Sequence, residues 1–147
     1  MNIQWVVKQF DDLTVHELYS IIELRNEVFV VEQNCVFQDA DNIDQLSHHL
    51  LGLQNNLLVA YARLIPPGIA YKEMSIGRIV TKPSFRKMKI GKKLVEESIE
   101  AMYLLFGFQP IKIGAQFYLL KFYQLFGFLE IGEIYLLDGI DHIEMIK

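Results

Sequence analysis

The stretch IGRIVTKPSFRKMKIGKKL, Ile76–Leu94, decides the fold. It reads as a strand, a short connector closed by Pro83, and the start of a helix. Between Lys82 and Lys93 lie Lys82, Arg86, Lys87, Lys89, Lys92 and Lys93, six of the chain's 14 basic residues, and no acid interrupts them. A loop that runs into a helix start presents backbone N–H groups that have no intrahelical partner, and the helix dipole favours negative charge there. Gly91 has no side chain to hold a ligand off its backbone. The pattern predicts a site for a phosphate-bearing ligand, and its bland alternative is a solvated lysine-rich face. The spacing is that of neither a Walker loop nor a dinucleotide fingerprint.

The chain's 147 residues predict one domain with one substantial core, and 52% apolar content excludes disorder. A net charge of −4 argues against nucleic acid as partner. The charge is uneven. Asp11 to Asp44 holds nine acids and one base, Arg25, ahead of the basic middle. A single cysteine, Cys35, excludes an internal disulfide and a cysteine metal cluster. Asp39, Asp41, Asn42 and Asp44 lack the glycine and glutamate of a calcium loop, so no metal is expected. With no basic-then-apolar leader at the start and no membrane-length apolar run, the expectation is a soluble cytoplasmic protein with no membrane partner.

Outward from the basic stretch, the elements follow from periodicity and punctuation. Ile3–Phe10 reads as a strand. Thr14 and Glu17 have the spacing of a capping box, ahead of a helix that ends or bends near Phe29–Glu32. His49–Leu53 and Leu57–Ile65 form a hairpin about Asn55–Asn56, and Met74–Thr81 makes a third strand. The helix that begins at Met88 or Lys89 ends at Phe106, stopped by Gly107 and Pro110. Then come a short strand, Ile111–Gln116, an aromatic helix, Leu119–Phe126, and two strands about Asp138–Gly139. Helices must cover sheet faces to bury this much apolar surface, which predicts an α/β sandwich. Residues 74–116 are expected to form a right-handed parallel crossover.

Element order and residues together resemble the GNAT family of acetyl-CoA-dependent N-acetyltransferases. Arg86–Gly91 matches the family's Q/R-x-x-G-x-G/A motif at Arg86 and Gly91, with Lys89 in place of the first glycine. Phe122–Phe128 resembles the family's closing block of Phe-Tyr and Gly-Phe pairs. The ElaA-like group within the family is closer still. Arg25–Gln33, Gln38–Asp39, Ala60–Arg63, Ile76–Arg78 and Gly114–Gln116 all look like that group, which carries the same lysine. The resemblance covers essentially the whole chain. It implies one domain over residues 1–147 with a mixed, largely antiparallel sheet, a central parallel β-α-β crossover and helices on both faces.

The resemblance also implies acetyl-CoA as cosubstrate and direct transfer to a primary amine in a ternary complex. Backbone N–H groups of Arg86, Lys87, Met88, Lys89, Ile90 and Gly91 would hold the pyrophosphate, with Arg86, Lys87 and Lys92 adding charge and Ile90 turned to the core. The sheet would splay after the strand ending at Ile79 and Val80, whose N–H groups would meet the thioester oxygen. Gln116 would lie by the cofactor arm. Tyr123 would protonate the departing thiolate, a task that a phenol of ordinary pKa about 10 can perform. Glu32 and His49 are the candidate bases, against solvated and structural roles. Arg63 and Arg78 need partners, either an acidic substrate group or Glu32, Asp44 or Glu73. The acceptor is a small-molecule or peptide amine, and the C-terminal strands leave room for a homodimer. The competing reading is a non-catalytic acyl-CoA-binding or sensing module. A third is an interaction module whose basic patch meets an acidic partner.

Overall fold

The computed structural model describes residues 2–147, with the side chain of Lys87 outside the description. Seven strands and three α-helices follow in the order β1 (Gln4–Gln9), α1 (Val15–Arg25), β2 (His48–Gln54), β3 (Leu57–Ile65), β4 (Ser75–Thr81), α2 (Ile90–Phe106), β5 (Lys112–Gln116), α3 (Leu120–Gln124), β6 (Leu129–Leu137) and β7 (Ile140–Ile146). Local chemistry sets the boundaries. Thr14 accepts a bond from the Glu17 N–H at 3.0 Å, and the Glu17 carboxylate accepts one from the Thr14 N–H at 2.9 Å, closing the capping box at the start of α1. Asn55 and Asn56 turn the β2–β3 hairpin at φ 49° and 65°, the left-handed pair a tight hairpin needs. Past Arg25 the helix widens into a π-helical turn, Asn26–Glu32.

Strand pairing corrects the expected sheet. The strands form two antiparallel sheets, β1-β2-β3-β4 and β5-β7-β6, and no parallel β-α-β crossover ladder joins them. β4 and β5 meet at a single parallel bridge, Met74 to Ile111, where the Lys112 N–H donates to the Met74 carbonyl at 2.9 Å. Beyond it they part. The physical reason lies in β4, where Arg78 and Ile79 together oppose the single residue Ala62 of β3. Arg78 there takes a left-handed φ of 49°. A bulge bends the strand that carries it and raises its local twist.

Alternation along β2 and β3 divides the apolar residues between two clusters. Leu50, Ala60, Ala62 and Leu64 pack with Leu94, Val95 and Met102 of α2, and the same cluster takes in Ile113, Ala115, Met145 and Tyr123 of the second sheet and α3. Leu51 and Tyr61 pack with Ile21 and Leu24 of α1 and with Val28. The α2 cluster therefore spans both sheets and holds the splayed strands in place.

Candidate active site

Where β4 and β5 part, a cleft of about 440 Å³ opens. Its volume falls in the range of small-molecule sites. Ile76–Thr81 of β4 form one wall and Ile113–Gln116 of β5 the other. Phe29, Gln33 and Phe37 close one side, and the β6–β7 turn with His142 closes another. Tyr123 and Phe122 of α3 and Gly91 of α2 complete the lining.

Basic residues gather where α2 begins. Pro83–Met88 form a 3₁₀ turn, and Lys89 then takes a left-handed φ of 59° before α2 begins. Successive N–H groups in a right-handed then left-handed turn converge into an anion-binding concavity. No side chain caps α2 among the described residues, so its first N–H groups are left for a ligand. A side chain built on Gly91 would come no nearer than 4.0 Å to another residue, Thr81, so the approach to its backbone is open. The surrounding charges are partly spoken for. Lys82 pairs with Glu27 at 3.3 Å and Lys93 with Glu97 at 3.1 Å. Arg86 holds Glu32 through two bonds of 2.9 and 2.7 Å, both side chains about two-fifths exposed (41% and 40%). Lys89 and Lys92 make no ion pair among the described residues, and Ile90 is buried in the α2 core.

Tyr123 lines the cleft and is 6% exposed. Burial, with a smaller contribution from the Tyr118 phenol, drives its pKa well above the ordinary value, so the hydroxyl keeps its proton throughout the neutral range. Its ring packs edge-on against Phe122 and Phe128. Gln116 and Gln33 bridge the cleft wall with a reciprocal amide pair at 3.1 and 3.2 Å.

Of the residues expected at the site, Ile79, Val80, Arg86, Gly91, Gln116 and Tyr123 line the cleft. Met88 and Lys89 lie in the adjoining turn, and Lys92 is exposed on the first turn of α2. The side chain of Lys87 lies outside the described residues. His49 is elsewhere, 0% exposed. Its Nε2 lies 2.9 Å from the Asp44 carbonyl, which only accepts, so that nitrogen carries the hydrogen. Its Nδ1 then accepts from the Tyr61 hydroxyl at 2.7 Å. Burial lowers the pKa of this imidazole, and both its nitrogens are engaged within the protein.

Arg63 and Arg78 find partners that the sequence reading only partly names. Arg63 bonds Asp41 and Asp44, each at 2.8 Å, Arg78 bonds Asp39 at 2.8 Å, and Arg25 joins Asp39 to Asp44 at 2.8 Å each. Three arginines thus hold three aspartates. Burial pushes the Asp41 pKa up, but the Arg63 bonds and charge outweigh it and bring it down to about 2. Asp44 is lowered by the same balance, with Arg25 and Arg63 both outweighing burial. Gln33, Phe37 and His142 are cleft residues that sequence reasoning passes over. His142 alone had a signal, as a polar residue on the same strand face as Ile140 and Ile146.

The cleft thus combines splayed strands, an uncapped helix start beside a basic turn, and a buried tyrosine in its lining. A family profile described as "Acetyltransferase (GNAT) domain" matches residues 18–147. Protein ElaA of Escherichia coli is 39% identical over 147 residues, covering 99% of this chain and 96% of that protein. Its crystal structure superposes with a TM-score of 0.92 over 99% of both chains, at 38% identity. The crystal structure of an acyl-CoA N-acyltransferase from Pseudomonas aeruginosa superposes at 0.95 over 99% of both chains, at 37% identity. The chain belongs to the GNAT acetyltransferase family. It is an enzyme, an acetyl-CoA-dependent acyltransferase that acts on amines.

Proposed function

We propose that the cleft carries out direct acetyl transfer from acetyl-CoA to the primary amine of a small molecule or peptide, with Tyr123 as the acid. The observation that carries this reading is the cleft between the splayed β4 and β5, whose lining includes both Gly91 in the uncapped first turn of α2 and the buried Tyr123. In this reading the N–H groups of Arg86–Gly91 take the pyrophosphate, Lys92 and Arg86 add charge, and the pantetheine arm lies along the free edge of β4. β4 is the edge strand of its sheet, with no strand laddered to its outer side among the described residues, and an N–H near Ile79 or Val80 on that side meets the thioester oxygen as it gains charge. Such a donor is worth about 3 kcal/mol. Gln116 borders the arm. Tyr123 gives its proton to the coenzyme A sulfur. Glu32 serves as a counter-ion to Arg86, and His49 holds Tyr61 and the 44–48 segment in place.

The test is thiol release from acetyl-CoA against a panel of alkyl amines, amino-acid amides and lysine peptides. Tyr123→Phe is expected to lower kcat by about 10²-fold or more while leaving acetyl-CoA binding within twofold. Turnover unchanged in the variant would remove the acid role. Stoichiometric binding of acetyl-CoA without turnover on any amine would favour a sensing module.

A further inference from the structure

The amine enters as an ammonium ion and must lose a proton before it can attack, yet Glu32 is tied to Arg86 and His49 is sealed in the core. A different imidazole faces the cleft. His142 of β7 lies in register with Gln116 of β5 and Tyr135 of β6, and its ring stacks on Tyr135 with centroids 5.7 Å apart. Its Nδ1 is 2.7 Å from the carbonyl of Ile140. A carbonyl only accepts, so the hydrogen resides on Nδ1 and the lone pair on Nε2. Nε2 has no partner among the described residues, and the side chain, 9% exposed, lines the cleft.

We infer that His142 is the general base that takes the acceptor's proton, an inference that rests on the acetyl-transfer reading above. The strand pairing and the Nδ1 bond fix the ring and its tautomer before substrate arrives, as a base of this kind requires. Other ionisable groups around the ring are accounted for. Glu144, two residues along the same strand face, pairs with Lys112 at 3.3 Å, and Lys112 also sits over the Tyr71 ring at 4.8 Å. Burial raises the pKa of the Tyr135 and Tyr71 phenols, leaving both neutral. The Asp138 backbone carbonyl accepts from the Cys35 thiol at 2.9 Å, and Asp141 is exposed on the strand beside His142.

The step balances without a further reactant. One proton passes from the ammonium to Nε2, and the freed lone pair forms the C–N bond at the acetyl carbon. The C–S bond then breaks, sulfur takes the Tyr123 proton, and the phenolate recovers one from the tetrahedral nitrogen. The imidazolium returns its proton to solvent, so each turnover releases one proton.

His142→Asn retains a donor for the Ile140 carbonyl and removes the base. With 2-phenylethylamine, or the best alkyl amine of the panel above, the variant is expected to lose about 10²–10³-fold in kcat. Its acetyl-CoA affinity should stay within twofold. The acidic limb of kcat/KM should move to higher pH, where the amine supplies its own free base, and added imidazole should restore part of the rate. A variant with wild-type kcat and pH profile overturns the base while transfer stands. Loss of rate together with acetyl-CoA affinity also overturns it, in favour of a structural role. Absence of wild-type turnover across the whole panel overturns the transfer reading itself, and the base with it.

Discussion

Glu32 and Arg86 illustrate how one ion pair decides between two roles. If Arg86 serves phosphate, Glu32 competes with the ligand for it, and the pair is exposed enough to contribute little to stability. Glu32→Gln is then expected to tighten acetyl-CoA binding severalfold at low ionic strength, an advantage that fades with added salt. Titration calorimetry at two salt concentrations checks this. A collapse in kcat with unchanged affinity would return Glu32 to the role of base. Lys89 poses a different question. Its left-handed φ of 59° strains any residue with a Cβ, by about 1–2 kcal/mol at worst, and glycine is free of that strain. Lys89→Gly is expected to raise the unfolding free energy by up to about 1 kcal/mol, because glycine also adds freedom to the unfolded chain. Urea unfolding reads the change. The backbone concavity survives the substitution, so acetyl-CoA binding should persist.

Among the elements, the bulge in β4 and the loop that faces it form one device. Asp39 accepts from Arg78 at the bulge and from Arg25 at the end of α1, so it ties helix, loop and strand together. Removing it leaves two guanidinium groups short of a partner, one of them 1% exposed. Asp39→Ala is expected to cost about 3–5 kcal/mol in urea unfolding. It should also reduce turnover by loosening the strand that walls the cleft. Little of this device could be read from the sequence. Helix starts and hairpin turns were legible because their chemistry is local: Thr14 with Glu17, Asn55 with Asn56, Asp138 with Gly139. The basic turn that opens α2 was legible because six basic residues and a glycine fall within one short stretch. Arg25, Asp39, Asp44, Arg63 and Arg78 are scattered across more than a third of the chain, and a bulge carried by arginine has no compositional mark. The parallel crossover failed for that reason: strand–helix–strand order is local, whereas the bend that parts β4 from β5 is not. His142 escaped notice because an alternating strand hides which of its faces meets a cavity formed by another sheet.

At the scale of the whole molecule, acid should loosen the protein in two separable stages. His49 sits neutral in the core with its pKa lowered from 6.5, so the unfolded chain binds its proton more readily than the folded one. The stability it lends is complete above about pH 6.5 and declines as pH falls through its lower folded value. Asp41 and Asp44 behave as depressed carboxylates. Their contribution is complete above the unfolded value of 3.8 and is lost as pH falls toward about 2, the folded value of Asp41. Asp41 alone accounts for at most about 2 kcal/mol, since each pKa unit is worth about 1.4 kcal/mol. A plot of Tm against pH should therefore show a shallow decline beginning near pH 6.5 and a steeper one beginning near pH 4. His49→Gln keeps a donor for the Asp44 carbonyl and an acceptor for Tyr61 but cannot take a proton. It should abolish the first decline and leave the second, whereas Asp41→Asn should shrink the second and leave the first. A first decline that persists in His49→Gln would mean that another imidazole governs it.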